Sequence, residues 1–569
     1  MNDFKVVICS LSAKYIHASL APWCLYEGVK RYAPEAEAIV IEGTINEREE
    51  AIIKRITQEE PDAVGFSSYI WNIEKVLFIA EKIKALLPDT KIILGGPEVS
   101  FNGERVLTEN PFVDFVISGE GEKAFAETVK ALSENRYPKD NIASYFYEGN
   151  FVKGKYNIFE EELSPYSEEY FSSLKGRISY IESSRGCPYS CTFCLSGSEK
   201  NVRFFSIERI KREILLLSKS GSQTVKFVDR TFNANKKRAI EILEFIKDNY
   251  GKEIPEGVCF HFEIAADILD EKMLSVISLM PKGSVQFEAG IQSFNERTLS
   301  AINRKTDLHK LSENVKTLVS FGSCHIHTDL IAGLPFENMA SFKDSFNKAY
   351  SLGANMLQLG FLKILHGSQM EKTTDEYVVS FGKKPPYEVT ETPWITKEEL
   401  CSLHFTEDAL ERLHNSLRFK RTLSYVFGVT KMKPFDLFEA FGVFAGDKNK
   451  KAPTLDEYTE WAYEFFSSLE GVDKAVLRDR MITDRIATNS SGIIPACLQV
   501  RDEGLRRVKY LLSLMYPTEK DVKRSVAILY TEGAVLFCDY KEKDAVSGEY
   551  ELKRVGLSEV YRFGIEKEL

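Results

Sequence analysis

Three cysteines stand within eight residues, in the run Ser183-Ser184-Arg185-Gly186-Cys187-Pro188-Tyr189-Ser190-Cys191-Thr192-Phe193-Cys194. Their spacing is C-x3-C-x2-C, with an aromatic residue just before the last Cys. Three thiolates on a short loop can bind three irons of a cubane and leave the fourth iron without a protein ligand. A structural zinc site normally takes four protein ligands. No fourth Cys or His lies nearby, the next Cys being Cys259. A disulfide would leave an odd Cys and needs an oxidising compartment. The spacing favours a [4Fe-4S] cluster and leaves zinc or a chance grouping as alternatives. The other seven cysteines stand singly and read as small buried apolar residues.

The elements around this loop give it a place. From residue 178 apolar runs recur at 178–181, 225–228, 259–264, 285–288, 325–331 and 356–365. Segments with helical spacing fall between them, at 207–218, 237–249 and 308–321 among others. Six strand–helix units predict a partial or complete β/α barrel, whose sites lie at the strand carboxyl ends. The cysteine loop directly follows the first of these strands. Ahead of them, residues 1–130 alternate runs at 5–9, 38–41, 63–66, 91–94 and 115–117 with amphipathic stretches such as 73–87. That pattern predicts a parallel doubly wound sheet. Its strand ends carry Ser67-Ser68-Tyr69, Gly95-Gly96-Pro97-Glu98 and Ser118-Gly119-Glu120-Gly121-Glu122. Small residues there let a ligand approach the backbone closely.

The expected organisation is an α/β chain of three domains and a linker. Residues 1–135 form the doubly wound sheet, 136–176 a linker with a hairpin across the surface, and 177–388 a partial (β/α)6 barrel. Residues 389–569 are mostly helical, with helices at 398–424 and 455–469 and a terminal strand or hairpin at 527–537. This last region carries no readable chemical motif. It either supports the barrel mouth or selects the substrate.

Composition bounds the function. The chain has 569 residues, fitting about three domains. It is 44% hydrophobic and 28% charged, as in ordinary globular proteins. A net charge of −10 argues against a nucleic-acid binder with a broad basic surface. No apolar run is long enough to cross a bilayer, and the start MNDFKVVICS lacks a signal-peptide pattern. A cytoplasmic location without a membrane partner is expected.

The C-x3-C-x2-C loop after a barrel-opening strand resembles the cluster motif of the radical S-adenosylmethionine (SAM) superfamily. The resemblance implies that Cys187, Cys191 and Cys194 hold the cluster. SAM would chelate the open iron, and an electron would cleave it to methionine and a 5′-deoxyadenosyl radical. A flavodoxin or ferredoxin would supply that electron. Other strand ends agree. Asp229, in Phe227-Val228-Asp229-Arg230-Thr231-Phe232-Asn233, falls where relatives contact the SAM methionine end, without their Gly-Gly-Glu. Glu263 falls near the SAM ribose. Phe287-Glu288-Ala289-Gly290-Ile291-Gln292-Ser293 resembles the E-x-G-x-Q-S version of one branch, which implies SAM roles for Glu288, Gln292 and Ser293. Gly333, in Ile331-Ala332-Gly333-Leu334-Pro335, would pack on adenine. Each carboxylate could equally be a solvated strand end or a helix cap. Arg185 invites a role as cationic partner of the cluster or of the SAM carboxylate.

The first sheet resembles the cobalamin-binding domain that precedes many radical SAM barrels. This implies that Ser67, Ser68, Gly95, Gly96 and Glu98 wall a slot for the nucleotide tail, with Gly119, Glu120 and Gly121 near its base. The loop at 11–19 would approach the corrin. The D-x-H-x-x-G motif that gives some cobalamin proteins a cobalt-binding histidine is absent, and His17 is not in that setting. A degenerate domain that no longer binds cobalamin is the competing reading.

The family resemblance implies methylation of an unactivated carbon, or of phosphinate phosphorus, by way of methylcobalamin. A radical rearrangement or cyclisation without methyl transfer is the alternative enzyme. A tRNA methylthiotransferase would need three cluster cysteines in the first domain, which has Cys9 and Cys24. An iron–sulfur carrier or sensor would need neither a barrel nor a SAM pocket. The substrate and oligomeric state are not legible in the sequence.

Overall fold

The first strand, Phe4–Ser12 (β1), is apolar on both faces because helices cover both sides of the sheet it enters. It is joined by Ala36–Thr44 (β2), Ala63–Ser67 (β3), Lys91–Gly95 (β4) and Phe115–Ile117 (β5). All pairings are parallel, in the order β2-β1-β3-β4-β5. The strand order reverses between β1 and β3, which opens a crevice outside their carboxyl ends. Asn72 fixes that crevice: its Nδ2 donates to Leu11 O and Ser67 O, both at 3.0 Å. The computed structural model describes residues 4–139, 141–156, 159–198, 201–500 and 504–568.

The segment after the sheet is no loose linker. A hairpin of Tyr145–Tyr147 and Asn150–Val152 forms as expected. Its flanks also bond to the sheet edge. Ser144 N donates to Val116 O at 2.7 Å, and Glu120 N donates to Tyr156 O at 2.8 Å. An unpaired edge strand exposes backbone groups that need partners, and this segment supplies them. A short helix, Glu168–Ser173, then starts at the Ser167 cap and buries Tyr170 completely. At six residues it is too short to show a helical period.

The second sheet comprises Ser179–Ile181 (β6), Thr224–Phe227 (β7), Cys259–Ile264 (β8), Val285–Gln292 (β9), His325–Ala332 (β10) and Met356–Phe361 (β11). These strands pair in chain order and in parallel, an open (β/α)6 barrel. Along β9 and β10 burial alternates residue by residue. The apolar set packs beneath the helices, and the polar set faces the barrel interior.

The C-terminal region is mostly helical. The expected helix at 398–424 is broken: Lys397–Leu410 runs into a wide turn at Glu411–Asn415, then Lys420–Thr430 follows. The Asn415 side chain accepts from Leu357 N at 3.0 Å and donates to Leu357 O at 2.9 Å, so the turn pairs with the outer edge of β11. Phe435 and Phe438 pack on Phe346 of the barrel helix Met339–Ser351. The barrel and these helices share one continuous core. The expected strand or hairpin near the end is a three-stranded antiparallel sheet of Arg524–Leu529, Ala534–Asp539 and Lys553–Gly556.

The modules meet through polar contacts as well as apolar ones. Arg177 donates to both Glu42 oxygens, at 2.9 and 3.1 Å, and to the carbonyls of Tyr15 and His17. The helix Ala21–Tyr32 passes so close to the turn after β5 that a Cβ on Gly28 would lie 2.3 Å from Glu122 O. The neighbouring atom is backbone and cannot swing away. Gly28→Ala is expected to destabilise the first domain by about 1–3 kcal/mol, the usual range for overpacking. An unchanged thermal midpoint would refute the close approach.

Candidate active site between two parallel sheets

The carboxyl ends of both sheets open onto one cavity of about 800 Å³. On the first-sheet side small residues, Ser10, Ser67, Gly95, Gly96, Gly119 and Gly121, line it among apolar ones such as Leu11, Leu25, Ile93, Ile117 and Phe125. Ser67 Oγ donates to Ser10 Oγ at 2.9 Å, which in turn bonds Ser19 Oγ at 3.0 Å. Gly96 has φ +110°, and a Cβ there would lie 2.5 Å from Ser68 O, so this turn admits no side chain. The stacked rings of Tyr69 and Trp71, 4.4 Å apart, complete that side. Tyr180, Glu182, Arg185, Lys226, Val228, Arg230 and Glu263 form the barrel side.

The cysteine loop leaves β6 at the rim of this cavity. Cys187 and Cys191 are buried and Cys194 is half-buried. Asp229, at the end of β7, holds the root of the loop. It accepts from Ser183 N at 2.9 Å, Ser183 Oγ at 2.7 Å and Ser184 Oγ at 2.5 Å. Ile302, Asn303 and Arg304 cradle the loop's middle. Thr192 N donates to Ile302 O at 3.0 Å, and Asn303 Nδ2 donates to Ser190 O and Oγ. Arg304 Nη1 lies 3.7 Å from Cys191 Sγ. Burial pushes the Cys191 thiol up, and Arg304 partly offsets this. Among the described residues no three of His, Cys, Asp or Glu are close enough to grip one metal ion. A cubane asks for a wider triangle, since each thiolate binds a different iron.

Residues 12–129 match the family described as the B12 binding domain, and residues 181–349 match the radical SAM superfamily. Residues 375–528 match a family of unknown function, DUF4080. The chain carries a B12-binding domain followed by a radical SAM domain. An uncharacterized methyltransferase of Pyrococcus horikoshii is 29% identical over 321 residues, covering 54% of this chain and 68% of that protein. The cobalamin-dependent radical SAM methyltransferase TokK of Streptomyces tokunonensis is 26% identical, over 52% of this chain and 45% of its own length. This chain therefore spans under half of the TokK sequence. The apo structure of OxsB, a cobalamin-dependent S-adenosylmethionine radical enzyme, superposes with a TM-score of 0.61 at 15% identity, covering 91% of this chain and 81% of OxsB.

The cofactors of a B12-binding radical SAM enzyme are a [4Fe-4S] cluster, SAM and cobalamin, and the residues here fit all three. The glycine and serine wall with its packed Gly96 turn is a cradle for a bulky ligand. The loop offers three thiols and a cation beside one of them. The barrel side offers carboxyls without full compensation. Burial raises Glu263, with Arg230 partly offsetting it. Burial, then Glu288 and Glu263, push Asp329 up to about 7, and its buried Oδ1 has no hydrogen-bond partner.

The expected site residues divide. Ser67, Gly95, Gly96, Gly119, Glu120, Gly121 and Glu263 line the cavity. Several others do not. Asp229, expected at the methionine end of SAM, has both oxygens engaged by the cluster loop. Glu98, expected beside cobalamin, is buried and accepts from Tyr387 Oη, beyond the barrel strands. Ser68 is wholly buried in the wall behind Gly96, with an unpartnered hydroxyl. Ser293 is buried and donates to Glu337 at 2.7 Å. Glu288 lies deeper in the barrel, bonded to His261 at 2.9 Å and Lys226 at 3.4 Å. Burial would raise its pKa, but these two partners outweigh it and hold it at about 2. Gln292 is half-buried at the end of β9 with φ +71°. Gly333 packs on Val389 and Leu362. His17 offers no free ring face on its Nδ1 side, which bonds Tyr180 Oη at 2.7 Å. Cys9 lies wholly inside the first sheet, its thiol pushed up to about 12 by burial.

Sequence spacing could not find Asn303 and Arg304, which reach the cysteine loop from over 100 residues away. The Asp229 carboxylate answers donors of the cluster loop. Removing its carboxylate leaves three buried donors unanswered, each costing about 1–3 kcal/mol. Asp229→Ala is therefore expected to lower both the thermal midpoint and the iron content after reconstitution. Full iron content with only SAM affinity lost would restore the SAM-contact reading.

Proposed function

We propose that this chain methylates an unactivated carbon of its substrate, using both modules around the shared cavity. The carrying observation is that cavity: the glycine–serine wall of the B12-binding domain faces the radical SAM barrel across it, within one enclosure. Cys187, Cys191 and Cys194 hold the cluster. Ser67, Gly95, Gly96, Gly119 and Gly121 seat cobalamin, and Glu263 contacts SAM from the barrel side. When bound, the cluster supplies the electron that cleaves SAM, and cobalamin supplies the methyl group.

The chain's own part is positional. The short side chains of Ser10 and Ser67 keep the crevice open between β1 and β3. Arg304 answers the negative charge of a Cys191 thiolate. Lys226 and His261 keep Glu288 ionised, so the floor of the barrel carries a fixed charge pair. A one-electron donor of the flavodoxin or ferredoxin type delivers electrons from outside. Among the described residues no helix is long and apolar enough to cross a membrane.

Two measurements test this without a known substrate. Each of Cys187→Ala, Cys191→Ala and Cys194→Ala is expected to abolish 5′-deoxyadenosine formation in anaerobically reconstituted protein. The wild-type chain, given hydroxocobalamin, reductant and methyl-labelled SAM, is expected to hold about one cobalamin per chain. Label is expected on that corrin, with S-adenosylhomocysteine released. A bound corrin that never acquires label would favour rearrangement or cyclisation without methyl transfer. No bound corrin would favour the degenerate-domain reading.

A further inference from the structure

The loop that carries the cysteines is tied to the first domain at two places, once directly and once through the segment 366–372. The first grip is Arg185, two residues before Cys187. Its Nη2 donates to Glu122 Oε1 at 2.5 Å and to Glu182 Oε2 at 2.8 Å, and its Nη1 lies 3.6 Å from Glu120 Oε1. Glu120 and Glu122 stand just after β5, at the cap and in the first turn of the helix Gly121–Ser133, and both line the cavity. Arg203, backbone-paired with Arg185, closes the group with a 2.6 Å contact to Glu120. The rings of Phe159 and Phe205 flank the Arg185 guanidinium at 5.8 and 5.7 Å. Arg185 is thus engaged by protein carboxylates rather than directed at the cluster or SAM.

The second grip holds the middle of the loop. Thr192 O accepts from Met370 N at 2.8 Å, on the short helix Gln369–Lys372. Just before that helix, His366 Nδ1 meets Glu371 Oε1 at 2.8 Å and its Nε2 meets Arg105 Nη2 at 3.0 Å. Arg105 belongs to the first domain, on Gly103–Glu109. The ring of Phe101 lies against Gly367, where a Cβ would come within 2.1 Å of it.

We propose that these contacts form a clamp that sets the spacing between the cluster loop and the cobalamin cavity, with Arg185 and Glu122 as its positioning residues. Relative motion is the default for two domains joined by an ordinary interface. A reaction that needs one substrate carbon in reach of two cofactors tolerates little of it, since a misplacement of about 1 Å can cost on the order of a hundredfold in rate. A buried ion group with several partners resists such motion, because parting it would strand charges out of water. The inference rests on the proposed function for the identity of the two cofactors, but the clamp itself is a protein–protein contact.

The test compares the full-length wild type with Arg185→Ala, Glu122→Gln and Arg185→Lys. Amide hydrogen exchange is read first, on the chain without cofactors. Residues 183–194 and 117–123 are expected to exchange roughly tenfold faster in Arg185→Ala and in Glu122→Gln, with Arg185→Lys between. Strands β9 and β10 serve as the folding control. If Arg185→Ala disturbs those strands too, Glu122→Gln decides, since it keeps the side chain's shape. Unchanged exchange of both segments in Glu122→Gln overturns the clamp. With cluster and cob(II)alamin loaded, the broadening of the cob(II)alamin resonance by the reduced cluster is expected to change in Glu122→Gln. An identical line shape also overturns the clamp. Absence of either signal in the wild type would sink the cofactor reading, while the exchange result would still stand for or against the clamp.

Discussion

Parallel strands all end on the same side, so a parallel sheet can build a site only along that one edge of its loops. Here two parallel sheets in one chain turn those edges toward each other. Everything chemical in the molecule follows from that constraint. The residues that matter come from loops after β1, β3, β4 and β5 on one side, and from β6, β7, β8 and the segment after β9 on the other. The side chains that stabilise the arrangement are the ones that cross between sheets. Arg177 joins Glu42 to the carbonyls of Tyr15 and His17, and His17 in turn reaches Tyr180. Neither sheet by itself encloses the cavity.

The barrel interior shows how burial sorts charge below that cavity. His325 and His327 are held down to about 4 and about 3 by burial, with further lowering from neighbouring histidines. Both are neutral near pH 7. His327 then shares a 2.6 Å contact with the Gln286 amide, which requires the ring to accept. Glu288 stays ionised because Lys226 and His261 face it, whereas Asp329 lacks such a partner and is raised instead. A charge pair, neutral rings and two under-satisfied carboxyls, Asp329 and Glu263, make an interior suited to a polar ligand. A purely apolar one would leave Asp329 and Glu263 unanswered.

The sheets and the cysteine trio were legible because their signals are local. Five apolar runs in the first domain and six in the barrel each sit within a few residues of an observed strand. The C-x3-C-x2-C spacing needs no tertiary information. The residues that lie away from the cavity share a cause too. Asp229, Glu98 and Ser293 were read from their positions at strand ends, but the partner of each is distant in sequence: Ser183, Tyr387 and Glu337. Position along a strand says which end a residue occupies and nothing about whether its polar atoms are already engaged. Arg185 shows the same limit. Its neighbourhood with Cys187 suggested the cluster, and its geometry turns it toward Glu122.

Residues 141–156 and the turn at Glu411–Asn415 were misjudged for a further reason. The first does its work through backbone pairing at a sheet edge, and backbone groups are the same in every residue; the second sets the single side-chain amide of Asn415 on the backbone of Leu357, which no local pattern marks. The first covers β5 and the second covers β11, so each open sheet is closed by the segment that follows it in the chain. An open six-stranded barrel has an exposed edge that a complete eight-stranded one lacks. The C-terminal helices supply the cover, and they share the barrel's core through Phe346, Phe435 and Phe438. Their contacts lie on the barrel's outer edge and its helix layer. Any part they take in choosing a substrate must act through β11 and the segment after it, where Tyr387, His366 and Glu371 already connect the barrel to the first domain.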